Sequence, residues 1–376
     1  MKIGIDARPL TYGNFSGIPT TVCEIIRVWM RCDSEHEYYL ISDKELLLDT
    51  ELPLNWHSIV RPSRYGNGTL WLFAELPKII NELHLTAFWG TNYLLPRRVK
   101  ECRYLNTVYD LSFERYPYVT SLKTKIVLKA FCKRSCKIAD AVFTISESSA
   151  KDIEKLYKID KTKIRAIYLG GPETKKTDIS GKVSETKKSD ISERLSERYF
   201  LFLSTIEPRK NPLLVLKAYE LYCKRYGTDI NLVFAGSHGW NVDDFDRYLE
   251  KHPYRKNICM RGYVDNNEKD RLLARAEALL YPSVYEGFGL PILEAMNYGT
   301  PVITSDNSSM PEVGGDAAVY IHDITSEEEL CELMRTVIVM PAEDRAGLKA
   351  RMRINVSKFR WNICAEEVLK ILTGTR

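Results

Sequence analysis

From the second residue onward, short apolar runs of strand length alternate with amphipathic stretches of helix length, and the rhythm plays through twice. No other feature restricts the fold as much, because strands separated by helices pair side by side in parallel through right-handed crossovers. The first set of runs reads "KIGID", "YYLIS", "HSIV", "AFWG", "RYLNTVYD", "AVFTIS" and "KIRAIYLG". The second reads "YFLFLST", "NLVFAG", "ICMRGYV", "ALLYPS", "PVITS" and "AAVYI". Two doubly wound α/β domains are therefore expected, and 376 residues exceeds what one core usually serves. Between the sets, residues 172–197 nearly lack large apolar side chains, and "KKTDIS" at 175–180 returns as "KKSDIS" at 187–192. Two copies are too few for a repeat architecture, so the stretch reads as a polar linker that permits domain closure. The expected organisation is a first domain over 1–171, the linker over 172–197 and a second domain over 198–355. A closing helix over 356–376 follows, built on "WNICAEEVLKIL" and a candidate to pack back across the domain boundary.

Open parallel sheets bind ligands beyond the carboxyl ends of their strands, so chemistry is expected in those loops, at the cleft between the two sheets. The stretch "YPSVYEGFGLPILEAM", 281–296, is the most informative of them. Gly287, Gly289 and Pro291 forbid a continuous helix: glycine serves unusual backbone angles and close approach, and proline belongs in a helix's first turn. Strand, loop and then a helix starting near Pro291 follow, with Glu286 in the loop and Glu294 in or near the first turn. A helix N-terminus holds anions, whereas carboxylates beside it suit neutral hydroxyls. Hydroxyls next to a phosphate point to a nucleotide sugar.

Other strand ends add candidates. "LFLSTIEPRKNP", 201–212, ends a strand with Arg209 and Lys210, a rigid fork and a point charge that suit a diphosphate; a solvated helix start is the plainer reading. "LTYGNFSGIPTTVCEII" places Gly13 and Gly17 between strand and helix without the G-x-G-x-x-G spacing. Gly17 therefore serves either a phosphate or sugar approach or a tight turn. "TVYDLSFERYP" puts Asp110 at a strand end, where a carboxylate can take an acceptor's proton or cap a helix. "TISESSAKDI" has the flavour of a capping box at Ser146, which favours structure. "LKTKIVLKAFCKRSCKI", 122–138, holds six basic residues and no acidic one, with Lys125, Lys129 and Lys133 at helical spacing. It suits either a solvated face or contact with an anionic membrane surface.

Several classes are set aside. A net charge of +4, from 54 basic and 50 acidic residues, is too balanced for a dedicated nucleic-acid binder. The nine cysteines show no C-x-x-C spacing, and "DDFD" at 243–246 opens an apparent helix where acidic residues belong anyway, so no metal site is expected. No apolar stretch reaches the ~20 residues of a membrane span. "MKIGIDARPL" begins directly with a strand rather than a secretory leader, so a cytoplasmic location is expected. A two-lobed sugar-binding protein of the periplasmic type would need such a leader.

Together these segments resemble the retaining glycosyltransferases of GT-B fold, family 4, also called glycosyl transferases group 1, and the resemblance covers nearly the whole chain. Its most specific part is the E-x7-E motif, matched by Glu286 and Glu294 within "YEGFGLPILEAMNYGTPVITS" and followed by "SSMPEVGGDAAVYI". The resemblance implies that Glu286 contacts the donor sugar, with Gly287, Phe288, Gly289 and Leu290 beside it, and that Glu294 binds the ribose. "TIEPRKNP" resembles the diphosphate clamp, with Thr205 where an arginine is often found and Arg209 standing in beside Lys210. "RGYV" resembles the strand end whose backbone reads the base, which implicates Gly262, Tyr263 and Val264. "GIPTTVCEI" resembles the glycine loop of the first domain, containing Gly17. "VYDLSFERYP" resembles a histidine–aspartate segment with Tyr109 in place of the histidine, so Tyr109, Asp110 and Ser146 are the expected acceptor residues.

The resemblance implies a metal-independent enzyme without a cofactor, its catalytic groups drawn from Glu286, Asp110, Arg209 and Lys210. The "T-x-E-P-R-K-N" form is similar to mannosyl- and rhamnosyltransferases that build bacterial surface polysaccharides on a lipid carrier. The expected reaction moves a hexose, mannose from GDP-mannose, onto a lipid-linked oligosaccharide in O-antigen or surface-polysaccharide synthesis. The chain would sit at the inner membrane face, touching anionic lipid through 122–138. Alternatives are a UDP- or dTDP-sugar donor (GlcNAc, glucose or rhamnose) and a non-catalytic nucleotide-sugar-binding partner subunit. An epimerase or a phosphorylase on the same architecture also stays open.

Overall fold

The computed structural model describes residues 1–11, 17–48, 50–64, 66, 68–116, 122–172 and 198–375, without the side chains of 122–124. The chain forms two compact units, Met1–Gly170 with Phe359–Arg376, and Gly171–Lys358. Each is a parallel sheet wrapped by helices, as the alternating pattern requires.

The first unit holds β1 (Lys2–Asp6), β2 (Glu37–Ser42), β3 (Trp56–Val60), β4 (Ala87–Gly90), β5 (Arg103–Thr107), β6 (Ala141–Thr144) and β7 (Ile164–Ala166). Their order in the sheet is β3-β2-β1-β4-β5-β6-β7, with each neighbouring pair parallel. The second unit holds β8 (Tyr199–Leu203), β9 (Asn231–Ala235), β10 (Ile258–Gly262), β11 (Ala278–Tyr281), β12 (Val302–Ser305) and β13 (Val319–Ile321). Here the order is β10-β9-β8-β11-β12-β13, again parallel throughout. Every apolar run named from sequence is a strand. The central strands are buried on both faces: all five residues of β8 and all four of β11 are buried. Aromatic side chains fill the layers beneath the helices, with Trp71, Phe88 and Tyr104 in the first core and Phe200, Phe202 and Phe234 in the second.

The closing helix Trp361–Thr373 belongs to the first unit. Its buried residues Trp361, Cys364, Ala365, Val368 and Leu372 form one stripe at helical spacing. The indole of Trp29, on helix Ile18–Cys32, donates to the carbonyl of Ala365 at 2.8 Å, and Arg103 Nε donates to the carbonyl of Ile371 at 3.1 Å. The change of unit falls between Lys358 and Phe359, a little beyond the 355/356 boundary drawn from sequence. The expected linker, apart from Pro172, lies outside the described residues.

The sheet orders fix where a ligand can sit. In each unit the first strand runs between two strands reached in opposite directions: β1 between β2 and β4, β8 between β9 and β11. The loops leaving such a pair diverge to opposite faces of the sheet and open a crevice at its carboxyl edge.

Candidate active site

In the second unit that crevice lies between the ends of β8 and β11. Beyond β8 the segment Ser204–Glu207 bends, pairs beyond the end of β9 through Ile206 N–H to the Ser237 carbonyl at 2.9 Å, and then tightens into the turn Pro208–Lys210. Asn211, at φ 58°, reverses the backbone into helix Pro212–Tyr226. Beyond β11 the loop Pro282–Gly289 crosses to this turn, and the Val284 N–H donates to the Arg209 carbonyl at 2.8 Å. Gly289, at φ 115°, then opens helix Leu290–Asn297 with Pro291 in its first turn.

This bridge between two strand ends brings four charges together. Lys210 Nζ lies 2.5 Å from Glu286 Oε1 and donates to the Tyr281 hydroxyl at 3.1 Å. Arg209 Nη1 donates to Glu286 Oε2 at 2.8 Å and to the Tyr285 carbonyl at 2.9 Å, while its Nη2 donates to Glu207 Oε1 at 2.7 Å. Glu207, Lys210 and Glu286 are buried. Burial alone would raise the pKa of Glu286, but the adjoining cations of Arg209 and Lys210 outweigh it and hold the carboxyl down to about 2. Burial and the neighbouring Arg209 charge pull Lys210 below the ordinary lysine value, against the opposing pull of Glu286. Burial and the Glu286 charge push the Tyr281 hydroxyl well up, so it stays protonated as a donor or acceptor. The backbone of Glu286 is fixed too. Its N–H donates to Ser308 Oγ at 3.0 Å, and Ser309 Oγ donates to its carbonyl at 3.0 Å and to that of Phe288 at 2.7 Å.

Three of the residues named from sequence are thus joined directly: Glu286, Arg209 and Lys210. Gly287, Phe288 and Gly289 are buried in the same loop and Leu290 follows half-buried. Glu294 is the fifth residue of its helix, just past the first turn and one residue later than a start at Pro291 would place it, because the helix opens at Leu290. Its carboxylate lies 2.5 Å from Lys269 Nζ on helix Asn266–Arg275 and stays partly exposed. Thr205 is half-buried in the segment before Glu207. Gly262 ends β10 at φ 67° with open space where a Cβ would stand, followed by an exposed Tyr263 and a half-buried Val264.

Sequence reading missed Glu207, Tyr281 and the Ser308–Ser309 pair. The signal for Glu207 was present in "IEPRK", an acid two residues from the arginine it binds. It missed Gly236 as well. At φ 147°, a Cβ there would stand 1.9 Å from the Ser204 carbonyl oxygen, so the contact that shapes the β8 end demands glycine.

In the first unit the candidates are divided. Gly17 takes φ 64° and precedes helix Ile18–Cys32 with nothing near its Cβ position; Gly13 lies outside the described residues. The Tyr109 hydroxyl is buried and donates to the Thr91 carbonyl at 3.0 Å, while its carbonyl accepts from Ser149 Oγ at 2.9 Å. Ser146 is the buried N-cap of helix Glu147–Tyr157, accepting from the Ser149 N–H at 3.1 Å, which is the capping reading. Asp110 is half-buried and accepts the Ser112 N–H at 2.9 Å, steadying the turn into the short helix Ser112–Arg115. Asp6 and Arg8, not singled out from sequence, form a bidentate pair at the end of β1, with Arg8 Nε 2.8 Å from Asp6 Oδ1 and Nη2 2.6 Å from Oδ2.

Of the acidic run at 243–246, which opens helix Asp243–Glu250, Asp244 pairs with Arg247 on the same helix and Asp246 with His238 in the loop before it. Among the described residues no group of three or more histidine, cysteine or acidic side chains is arranged to hold a metal ion. All nine cysteines are free thiols, seven of them buried. No described helix is long and apolar enough to cross a membrane.

Two family models match the chain: "Glycosyltransferase Family 4" over residues 15–171 and "Glycosyl transferases group 1" over 183–355. Among curated proteins, the chain is 28% identical over 284 residues to an O-antigen chain mannosyltransferase B of Escherichia coli, spanning 75% of this chain and 72% of that one. To the O-antigen chain mannosyltransferase RfbU of Salmonella typhimurium it is 30% identical over 216 residues, 57% of this chain and 56% of the relative. Three versions of the serotype-specific mannosyltransferase WbdA of Escherichia coli also match, the first at 33% over 174 residues and 21% of its length. Among solved structures, WaaG, a glycosyltransferase involved in lipopolysaccharide biosynthesis, superposes with a TM-score of 0.73 over the whole of both chains at 17% identity. Anabaena HepE in complex with UDP and glucose does so with a TM-score of 0.67 over 99% of each, also at 17%. At that identity the structures show the fold, the GT-B pairing of two Rossmann-like domains.

Proposed function

Because the chain belongs to the group 1, family 4 glycosyltransferases, we propose that it transfers a hexose with retention of configuration from a nucleoside-diphosphate donor to a lipid-linked oligosaccharide. The donor of this reading is GDP-mannose, and the product is a segment of O-antigen or related surface polysaccharide. The curated relatives named above support it, since their names are those of O-antigen mannosyltransferases. The observation that carries the reading is the Glu286 carboxylate gripped by Arg209 and Lys210 across the crevice between β8 and β11.

Cleaving the sugar–phosphate bond builds positive charge on the ring and negative charge on the leaving diphosphate. Arg209, Lys210 and the amides opening helix Leu290–Asn297 face the latter in this reading, a type of stabilisation worth a few kcal/mol per donor. Glu286, ionised and fixed through both its N–H and its carbonyl, orients sugar hydroxyls. The acceptor attacks from the leaving-group face, and the diphosphate assists removal of its proton, with Asp110 at the acceptor side. Metal and cofactor have no part in this scheme. Glu294 takes the ribose hydroxyls, and the Gly262–Val264 strand end takes the base. The enzyme works at the cytoplasmic face of the membrane and rests on anionic lipid through helix Leu122–Ile138, where Lys129 and Lys137 are exposed beside a 60% exposed Ile126.

Incubation with GDP-, UDP- and dTDP-hexoses, followed by melting and product analysis, tests the reading. A ligand at ~100 times its dissociation constant stabilises by about 2.7 kcal/mol. A shift with GDP-mannose and an α-linked product on a lipid-linked acceptor supports it. A shift only with UDP- or dTDP-sugars replaces the donor, binding without transfer replaces the enzyme by a binding subunit, and no shift with any donor removes the site.

A further inference from the structure

The turn "IEPRK" puts a second carboxylate on the guanidinium of Arg209. Nη2 donates to Glu207 Oε1 at 2.7 Å while Nη1 donates to Glu286 Oε2 at 2.8 Å, so the two arms of the fork are held by different acids. A guanidinium is a rigid plane of five N–H donors. One partner would fix a point on that plane; two, on separate nitrogens, fix its orientation. The Glu207 side chain is 4% exposed, a costly place for a carboxylate that is not paired.

Charge points the same way. Arg209 and Lys210 supply two cations, Glu207 and Glu286 two anions, and all four are linked by contacts of 2.8 Å or less. Without Glu207 the two cations would share Glu286 as the one carboxylate of the cluster, and the Tyr285 carbonyl sits on the same nitrogen of Arg209, Nη1. The Arg209 plane would then rotate toward that single acid, away from whatever its remaining N–H groups address.

We propose that Glu207 is a positioning residue for sugar transfer: it acts through Arg209, setting the plane in which the guanidinium meets the donor's diphosphate. This rests on the reading that Arg209 faces that diphosphate. It predicts that Glu207 matters only while Arg209 is present.

A double-variant cycle read by calorimetric titration of the full chain with GDP, UDP and dTDP tests this. Glu207→Ala is expected to weaken nucleoside-diphosphate binding about tenfold, and Glu207→Gln less, because the amide oxygen still accepts from Nη2. In the Arg209→Ala background, Glu207→Ala should change affinity no further. Losses that multiply in the double variant, or wild-type affinity in Glu207→Ala, overturn the inference and leave the functional reading intact. A wild-type chain that binds none of the three diphosphates overturns the functional reading, and the inference with it. Should Glu207→Ala fail to fold, the same cycle is run with Glu207→Gln and Arg209→Lys, with the same two outcomes.

Discussion

Lys210 and Glu286 stand 76 positions apart in the chain, yet Nζ and Oε1 are separated by 2.5 Å, in a place where both side chains are nearly sealed from water. The contact exists because β8 lies directly beside β11, so the turn leaving one strand meets the loop leaving the other. It also ties the candidate site to the sheet's own integrity, since a buried charge cannot lose its partner without cost.

Lys210→Ala is therefore expected to affect both activity and stability. Removing one member of a buried ion pair typically costs about 3–5 kcal/mol, and the lower end applies here because Arg209 still holds Glu286. Turnover should fall at least tenfold through loss of charge stabilisation at the leaving group, and that of Glu286→Ala at least as far through loss of the grip on the sugar hydroxyls. Initial rates together with urea unfolding check both. Near-normal rates in the two variants would remove the pair from the site.

The same pair makes stability depend on acid. Glu286 has its carboxyl lowered from 4.5 to about 2, so the stability it contributes is complete above pH 4.5 and drains away as pH falls toward 2. At ~1.4 kcal/mol per pH unit the shift corresponds to roughly 3 kcal/mol. Glu286→Gln should be less stable than the wild type at pH 7, with the gap roughly halved at pH 3 and closing only toward pH 2. Denaturant midpoints at both pH values decide this; a constant gap between the two proteins would contradict it.

How far the sequence could carry these points depends on the range of the interaction. Strands follow from local apolar runs, and all of the runs "YFLFLST" to "AAVYI" appear where expected. The capping role of Ser146 was legible because a cap is a contact over three residues. That Arg209 and Lys210 converge on Glu286 was not, because it depends on β11 rather than β10 lying beside β8. The placement of Glu294 shifted by a single residue because Gly289, in the left-handed region at φ 115°, lets the helix open at Leu290, one residue ahead of Pro291.

Gly236 and Gly262 offer a contrast within one sheet edge. A Cβ at Gly236 would meet the Ser204 carbonyl oxygen at 1.9 Å, whereas at Gly262 nothing stands within 4 Å and only φ 67° opposes a side chain. Gly262→Ala should cost about 1 kcal/mol from backbone strain alone. Gly236→Ala must also push apart the ends of β8 and β9, and should cost several kcal/mol and move Glu207 and Arg209 with it. Thermal unfolding of both variants with donor titration checks this; equal losses would contradict the difference in contact.

Glu294 should separate binding from folding. Its pair with Lys269 is partly exposed, with 22% and 24% of the side chains accessible, and such pairs are worth ~1 kcal/mol or less. Glu294→Ala should therefore melt close to the wild type while raising the KM for the donor by about tenfold, the worth of a charge-assisted hydrogen bond to a ribose hydroxyl. A large drop in melting temperature with unchanged KM would assign the residue to the fold instead.

Helix Leu122–Ile138 provides the last test. Cys132, Ser135 and Cys136 on this helix are buried against the first core, while Ile126, Lys129 and Lys137 are exposed. Lys129 already has an anionic neighbour, Glu114, at 3.1 Å, so reversing its charge would also break a local pair. Lys133→Glu with Lys137→Glu avoids that complication. Each basic residue near an anionic surface contributes ~1 kcal/mol, and reversal replaces attraction by repulsion, so the double variant should lose more than about thirtyfold in partitioning to phosphatidylserine vesicles. Transfer to a water-soluble acceptor analogue should be unchanged, because the helix carries none of the Lys210–Glu286 cluster. Equal vesicle binding by the variant and the wild type would leave these lysines as an ordinary solvated face.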